Sequence, residues 1–129
     1  MNQKTGLSDG EWKLMNLLWE DPPRTIAQLV FALRDDTGWT KGTVFMMLSR
    51  MADKGAVRFE QAGRSKFFYP VWKKEDAAHC ETESFLMKVY GGSVGLMVAS
   101  MAGQKALTKG DIDELYAILR KAEREAGND

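Results

Sequence analysis

The spacing of apolar residues changes near residue 56, and this change most limits the folds available to the chain. Upstream, apolar residues recur every three or four positions, as on one face of an α-helix. Downstream, residues 57–60 (VRFE) alternate apolar with polar, as in a half-buried strand. Turn residues at 62–65 lead into an aromatic and β-branched run at 67–72, which completes a predicted hairpin. Three short helices and then a hairpin predict a winged helix-turn-helix.

Each of the three upstream helices is predicted from a capping residue followed by an apolar stripe. Ser8 with Glu11, and Thr25 with Gln28, have the spacing of a capping box, and Thr40 is the predicted N-cap of the third helix. The stripes are Trp12, Met15, Leu18 and Trp19; Ile26, Leu29, Val30 and Leu33; and Val44, Met47, Leu48 and Met51. Because these spacings fall on one side of a helix, the three stripes should face a common core.

Helical patterning returns in the last third of the chain, where the Gly91-Gly92 pair interrupts it and Thr108 caps a final helix. About fifty residues in three short helices enclose little interior, so we expect a second copy of the chain to cover their apolar surface. We therefore predict a mainly α chain with a small hairpin, divided into a winged-helix DNA-binding domain at 1–73 and a helical dimerisation domain at 74–129. The predicted dimer interface comprises Phe85, Leu86, Val89, Tyr90, Leu96, Met97, Ile112, Leu115 and Leu119.

Composition and charge are consistent with a folded protein whose two halves differ. Hydrophobic residues make up 44% and charged residues 28% of the 129 residues, which argues against disorder. The formal net charge is zero, but Lys and Arg outnumber Asp and Glu by 12 to 9 through Glu75, and the ratio is 6 to 9 thereafter. This asymmetry is the one expected if the first half meets phosphates.

The sequence also predicts where the chain resides. No apolar run approaches the roughly 18 residues of a membrane span, and the first residues lack the apolar core of a secretory signal. The single cysteine, Cys80, cannot form an intrachain disulfide, which suits a reducing compartment. We expect a cytoplasmic protein without direct membrane association.

In a helix-turn-helix, the second helix enters the major groove and the wing reaches a neighbouring backbone or groove. Here these are the helix predicted over 40–54 and the wing over 57–72. Burial of the Val44 stripe directs the remaining side chains outward: polar and basic groups could hold phosphates, and Phe45 and Met46 could pack on a thymine methyl. The predicted DNA-binding residues are Thr40, Lys41, Gly42, Thr43, Phe45, Met46, Ser49, Arg50, Arg58, Arg64 and Lys66. Alternatively, Phe45 and Met46 belong to the core or form a protein-binding patch.

The residues give little support to an enzyme or a metal protein. His79-Cys80 is the only adjacent pair of soft ligands, and it lacks the further ligands that a closed zinc site requires. The chain has no phosphate loop, no Cys-x-x-Cys pair and no nucleophile elbow. We therefore expect no catalytic activity, no metal and no cofactor. A winged-helix module that binds protein instead of DNA is the main competing interpretation.

Four motifs in order resemble the penicillinase-repressor family, which includes BlaI, MecI and copper-responsive CopY relatives. They are Leu7-Ser8-x-x-Glu11-Trp12-x-x-Met15-x-x-Leu18-Trp19; Trp39-Thr40-x-x-Thr43-Val44-x-x-x-Leu48-x-Arg50-Met51-x-x-Lys54-Gly55; Phe68-Tyr69-Pro70; and Phe85-Leu86-x-x-x-Tyr90-Gly91-Gly92. The resemblance runs from about Leu7 to Arg124. It implies a homodimer that binds a palindromic operator, represses β-lactam-resistance or related genes, and is inactivated when a membrane sensor protease cuts its C-terminal domain.

The chain departs from the family pattern in three places. The cleaved bond would fall near Ser100-Met101, which differs from the Asn-Phe pair of the β-lactam repressors and leaves cleavage open. The Cys-x-Cys metal cluster of the copper-responsive branch is missing from the C-terminus. The Lys-Thr-Val-x-Thr start of the family's recognition helix is replaced by residues 42–46 (GTVFM), so we expect a different operator sequence.

Overall fold

A computed structural model describes residues 6–127, which form helices and one β-hairpin. The elements are α1 (Asp9–Glu20), α2 (Ile26–Ala32), α3 (Lys41–Asp53), β1 (Val57–Ala62), β2 (Ser65–Pro70), α4 (Lys74–Tyr90), α5 (Val94–Gly103) and α6 (Lys109–Ala126). The predicted fold class, mainly α with a hairpin, is confirmed. The chain divides into two compact units, Met1–Glu83 and Ser84–Asp129, and the division falls within α4. The functional domain boundary after residue 73 stays a prediction.

The three N-terminal helices begin at the predicted caps. The Ser8 and Thr25 side chains each accept the backbone N–H three residues on, and Glu11 and Gln28 complete the capping boxes by accepting the N–H of the cap residue. The Thr40 hydroxyl accepts the N–H of Thr43 at 3.1 Å. Each cap satisfies one of the backbone donors that a helix start leaves without a partner, so the helix boundaries are encoded locally.

One core holds α1, α2, α3 and the hairpin together. The whole stripe predicted for α3 lies in this core: Val44, Met47, Leu48 and Met51 are all buried. The stripes of α1 and α2 are confirmed in part, because Trp12, Trp19, Ile26 and Val30 are only partly buried at the core's edge. The buried apolar residues are Leu7, Leu14, Met15, Leu18, Leu29, Leu33, Val44, Met47, Leu48, Met51, Ala56, Val57, Phe68, Trp72 and Ala77.

Gly10 permits α1 to approach the start of α3 closely. A Cβ at this position would lie 2.8 Å from the terminal methyl of Met47 and 3.1 Å from the Trp39 ring. Such distances are too short for carbon atoms in contact, so a larger residue would displace one of these side chains. The glycine therefore allows α1 to pack closely against the Met47 side chain and the Trp39 ring.

A buried carboxylate ties the start of α1 to the end of α3. The Glu11 Oε1 atom accepts the Ser8 N–H and a hydrogen bond from the Lys54 ammonium, both at 2.9 Å. Burial by itself raises the pKa of Glu11, but the Ser8 N–H and the positive charges of Lys54 and Arg50 together outweigh it, so the pKa lies below its ordinary value. Lys54 also donates to the Gly6 carbonyl at 3.2 Å, which holds the segment before α1 in place.

The hairpin is antiparallel, with Val57 opposite Pro70 and Ala62 opposite Ser65. Gly63 is the first residue of the two-residue loop and has φ 62°, as type II′ turns require. On its other side β2 meets Arg24, whose N–H and carbonyl both bond to Phe68, at 3.1 and 2.8 Å. Pro70 is the last residue of β2, the late position that a residue without an N–H can occupy.

The second unit has well-formed helices but no interior. Gly91 and Gly92 adopt φ 58° and 91° and end α4, and Ser93 and Thr108 cap α5 and α6. None of the described residues from 84 to 127 is buried. Its exposed large apolar residues are Phe85, Met87, Val89, Val94, Leu96, Met101, Ile112, Tyr116, Ile118 and Leu119.

No single helix within residues 6–127 is long and apolar enough to cross a membrane. Helices α4 and α5 reach that length and apolarity only as a pair, and they are bent by 77° at the break between them.

Candidate nucleic-acid interface

The outward face of α3 carries the side chains that the sequence placed there. Thr40, Lys41, Gly42, Thr43 and Arg50 are exposed, and Ser49 is half-buried. The two apolar side chains are exposed as well, Phe45 by 45% and Met46 by 61%. The alternative that Phe45 and Met46 belong to the core is therefore wrong, because the Val44 edge of the same helix lies in the core.

The start of α3 is suited to an anion. Its first turn has no acidic residue, and the Thr40 hydroxyl lies 3.2 Å from that of Thr43, so two hydroxyls and the free N–H groups of the first turn share one small region. The partial positive charge of a helix N-terminus favours a phosphate there. Lys41 adds a full positive charge in the same turn.

An open groove of about 530 Å³ separates α3 from the tip of the hairpin. It brings together five of the predicted residues, Lys41, Gly42, Phe45, Arg64 and Lys66. The groove is also lined by residues that the sequence analysis did not select: Thr25, Ile26, Ala27, Gln61 and Ser65. Strand alternation could have identified Gln61, because it lies on the same side of β1 as Phe59. Nothing in the local sequence indicates that the start of α2 reaches this groove.

Lys66 lies between two aromatic rings inside this region. Its ammonium is 4.5 Å from the centroid of Phe59 in β1 and 5.5 Å from that of Phe45 in α3. Phe59 in turn packs against the buried Phe68, with ring centroids 5.6 Å apart. Both Lys66 distances are within the range of a cation–π attraction.

Arg58 is the predicted wing residue that the groove does not include. Its guanidinium bonds to the Glu60 carboxylate at 3.0 Å and stacks on the Tyr69 ring at 4.2 Å. These partners lie on the side of the hairpin opposite Phe59 and Phe68, because successive residues of a strand point to opposite faces. Arg58 is therefore separate from Lys66, and its guanidinium is paired with Glu60.

The groove is lined by positive charges that lack acidic partners. Within residues 6–127, Lys41, Arg64 and Lys66 form no salt bridge, whereas Lys13 and Lys54 are paired with Asp36 and Glu11. Unpaired cations around a groove favour the binding of a polyanion, since no salt bridge within the protein must be broken first. The excess of positive charge in the first half of the sequence is thus concentrated near the start of α3 and the hairpin tip.

The remaining candidate for metal chemistry is a surface contact. His79 Nε2 lies 3.2 Å from a Glu83 carboxylate oxygen, one turn along α4, and both side chains are exposed. In the part of the chain that the structure describes, no three His, Cys, Asp or Glu side chains come together as metal ligands would.

Comparison with known proteins now identifies the family. The family model described as penicillinase repressor matches residues 7–121 of this chain. The chain belongs to the penicillinase repressor family. Among its relatives, the penicillinase repressor of Bacillus licheniformis is 28% identical over 115 residues, covering 89% of this chain and 90% of that protein. The methicillin resistance regulatory protein MecI of Staphylococcus aureus (strain N315) is 24% identical over 122 residues, covering 94% of this chain and 99% of that protein.

Solved structures resemble part of this penicillinase repressor family member. The solution structure of the DNA-binding domain of the repressor BlaI matches with a TM-score of 0.52 and 25% identity, covering 59% of this chain and 93% of that chain. The Bacillus licheniformis BlaI monomeric form in complex with the blaP half-operator matches with a TM-score of 0.50, 25% identity and the same coverage. The winged-helix prediction is confirmed by these likenesses.

Proposed function

We propose that this chain is a DNA-binding transcriptional repressor that places the outward face of α3 in the major groove and the hairpin tip on an adjacent backbone. The observation that carries the proposal is the burial of the Val44, Met47, Leu48 and Met51 edge, which leaves Thr43 and its neighbours exposed. The family membership and the half-operator complex of the BlaI relative support the same assignment. A repressor acts by occupying DNA, so it requires no catalytic residue.

The proposal gives separate roles to the predicted DNA-binding residues. Thr40, Lys41 and Thr43 would hold a phosphate at the start of α3, and Arg64 would bind a second phosphate from the loop of the hairpin. Arg50 and Ser49 lie farther along the helix and would bind the flanking backbone. Met46, at 61% exposed, is free to pack on a thymine methyl, which is one recognised form of base reading.

The second unit would pair two copies of the chain. Leu96, Ile112 and Leu119 are each more than 40% exposed, and Phe85 and Val89 are comparably open. Apolar surface of this extent on a unit with no interior is stabilised when another copy covers it. Two copies related by two-fold symmetry would read a palindromic operator, one half-site per copy.

Release of the repressor by a sensor protease would act on α5. Ser100 and Met101 are exposed, but their carbonyls accept the N–H groups of Gln104 and Ala106 at 3.1 and 2.9 Å. Proteolysis favours segments that unfold locally, so this turn must open before the bond is cut. Cleavage here would separate α6 from the rest of the proposed interface.

We assign the protein to the cytoplasm, where bacterial DNA lies.

A protein-binding winged helix is the second candidate, because the exposed Phe45 and Met46 give α3 an apolar surface. The dependence of binding on salt separates the two candidates. Neutralising DNA phosphates releases counterions, so the logarithm of the affinity falls linearly with the logarithm of the salt concentration. An apolar protein interface lacks this steep dependence.

The experiment measures fluorescence anisotropy of a labelled duplex taken from the DNA upstream of this chain's own coding sequence. The proposal predicts binding that weakens steeply with salt, and a loss of about 1–3 kcal/mol for Thr43→Ala or Arg50→Ala. Lys121→Ala, which removes an exposed charge from α6, is the matched control and should bind as the parent does. Parental affinity in both Thr43→Ala and Arg50→Ala at physiological salt would contradict the placement of α3 in the groove.

A further inference from the structure

Phe45 contacts the wing, an interaction that its position on the recognition helix does not predict. The Lys66 ammonium lies over the Phe45 ring at 5.5 Å and over the Phe59 ring at 4.5 Å. The two rings belong to different elements, α3 and β1, and Phe59 is anchored on the buried Phe68. We call Phe45, Phe59 and Lys66 the aromatic clamp.

The clamp holds the lysine head without using its hydrogen-bond donors. A ring attracts the ammonium through the negative potential of its face, so the N–H groups can still donate to another acceptor. Among the residues that the structure describes, Lys66 has neither an acceptor nor a carboxylate partner. A lysine side chain has many rotamers to lose, and one already held at the groove loses fewer of them when it binds a phosphate.

We propose that Phe45 is a positioning residue that acts through Lys66: it fixes the wing lysine for a DNA phosphate and thereby couples α3 to the hairpin. The inference deepens the proposed function and rests on it. It assigns Phe45 to backbone binding and leaves Met46, which is 61% exposed, to contact bases.

A double-mutant cycle tests this assignment. The probe is the duplex that the parent protein enriches from a random-sequence pool, and affinity is measured by anisotropy over a range of salt. Lys66→Met keeps the apolar stem, removes the charge and should reduce the salt slope by about 0.9, the value for one phosphate. Phe45→Leu should weaken binding by about two- to fivefold in the parent, as expected for an exposed cation–π contact, and should have no effect in Lys66→Met.

Conservative variants separate positioning from folding. Phe45→Tyr retains the ring face and should restore parental affinity and salt slope. Met46→Leu is the matched neighbour and should leave the salt slope unchanged. If Phe45→Leu lowers the affinity by the same factor with and without Lys66, Phe45 does not act through the lysine and the inference is overturned. The inference is also overturned if Phe45→Leu changes the enriched base at one position and leaves the salt slope unchanged, because Phe45 then reads a base.

A measurement on the free protein distinguishes failure of the aromatic clamp from failure of the proposed function. Ring currents should move the Lys66 Cε protons upfield in the free protein, and Phe45→Leu should return them toward their random-coil shift. Random-coil Lys66 shifts in a parent protein that binds DNA would overturn the clamp alone. Failure of the parent to bind any duplex would overturn the proposed function and the inference together.

Discussion

Side chains cap helices in both units, yet only the first unit encloses a core. Ser8, Thr25 and Thr40 cap α1, α2 and α3 in the first unit, as Ser93 and Thr108 cap α5 and α6 in the second. The first unit buries fifteen apolar residues, Leu14 and Leu48 completely, whereas no described residue from 84 to 127 is buried. Local helix signals therefore fix where helices begin, but they do not determine whether one chain can cover its own apolar surface.

The difference assigns a separate task to each unit. A self-contained core can hold α3 and the hairpin rigidly, as binding to a duplex requires. Among residues 6–127, the second unit leaves ten large apolar side chains exposed and the first leaves five, so the stability of the second unit should depend on a partner and hence on concentration. The following predictions test this contrast in order of expected effect.

The largest effect should come from the core of the first unit. Leu48→Ala should lower the free energy of unfolding by about 2–5 kcal/mol, because it removes a fully buried side chain. All four tryptophans lie between residues 12 and 72, so tryptophan fluorescence in a urea titration reports this unit alone. Leu96→Ala, at a site 59% exposed, is the matched change in the second unit and should leave this transition unaltered. Equal shifts of the urea transition in both variants would contradict the proposed difference between the two units.

The next effect concerns the second unit and its proposed partner. Leu119→Glu would bring a charge into the apolar surface between two copies and should weaken dimerisation by roughly 2 kcal/mol, about thirtyfold. Sedimentation at several micromolar concentrations measures it. Ala117→Glu adds the same charge on the opposite side of α6 and should leave the dimer intact. A parent protein that sediments only as a monomer would contradict the proposed interface.

A smaller effect should follow from protonation of Glu11. Its pKa is lowered in the folded chain, so its contribution to stability is present above the ordinary glutamate pKa and is lost as the pH falls through the lowered value. Glu11→Gln should cost about 1.5 kcal/mol at neutral pH, because it removes a charged hydrogen bond to Lys54. Urea titrations at neutral pH and at low pH should show the cost shrinking as the pH falls. The control is Glu20→Gln on the same helix, which should change the free energy of unfolding little because the ion pair of Glu20 with Arg24 is long and exposed on the glutamate side.

The smallest effect concerns a cap in the second unit. Thr108→Ala removes the oxygen that accepts the Asp111 N–H at 3.0 Å and should destabilise α6 by about 1 kcal/mol. Far-UV circular dichroism during heating measures the loss, and Thr108→Ser, which keeps the oxygen, should restore most of it. Loss of the cap should leave the tryptophan transition in place; a shift there would mean that the two units unfold together.

The sequence predicted the structure correctly where neighbouring residues of one helix or strand carry the whole pattern. The Val44 to Met51 stripe, the caps and the alternation at Val57 predicted three helices and a hairpin, because each signal spans only a few neighbouring residues. The fifteen-residue core includes Leu14 and Leu7, which lie beside the predicted α1 stripe and were not selected.

The sequence did not predict the contacts between residues that are far apart along the chain. The approach of Gly10 to Trp39, the bond between Glu11 and Lys54, and the contact of Lys66 with Phe45 all join residues more than twenty positions apart. The residues around each of these positions give no sign of the contact, and only packing brings the partners together. Arg58 illustrates the opposite case: alternation along β1 places it away from Phe59, yet its charge alone suggested that it shared a surface with Lys66.

Selection of duplexes from a random-sequence pool by the purified parent protein tests the central claim most directly. One unit that reads a half-site and another that pairs two copies predict an enriched inverted repeat, with half-sites about 10–10.5 base pairs apart or a multiple of that spacing. Leu119→Glu should enrich the same half-site without the symmetric partner. Enrichment of no sequence, or of a single asymmetric site by the parent protein, would contradict this division of tasks.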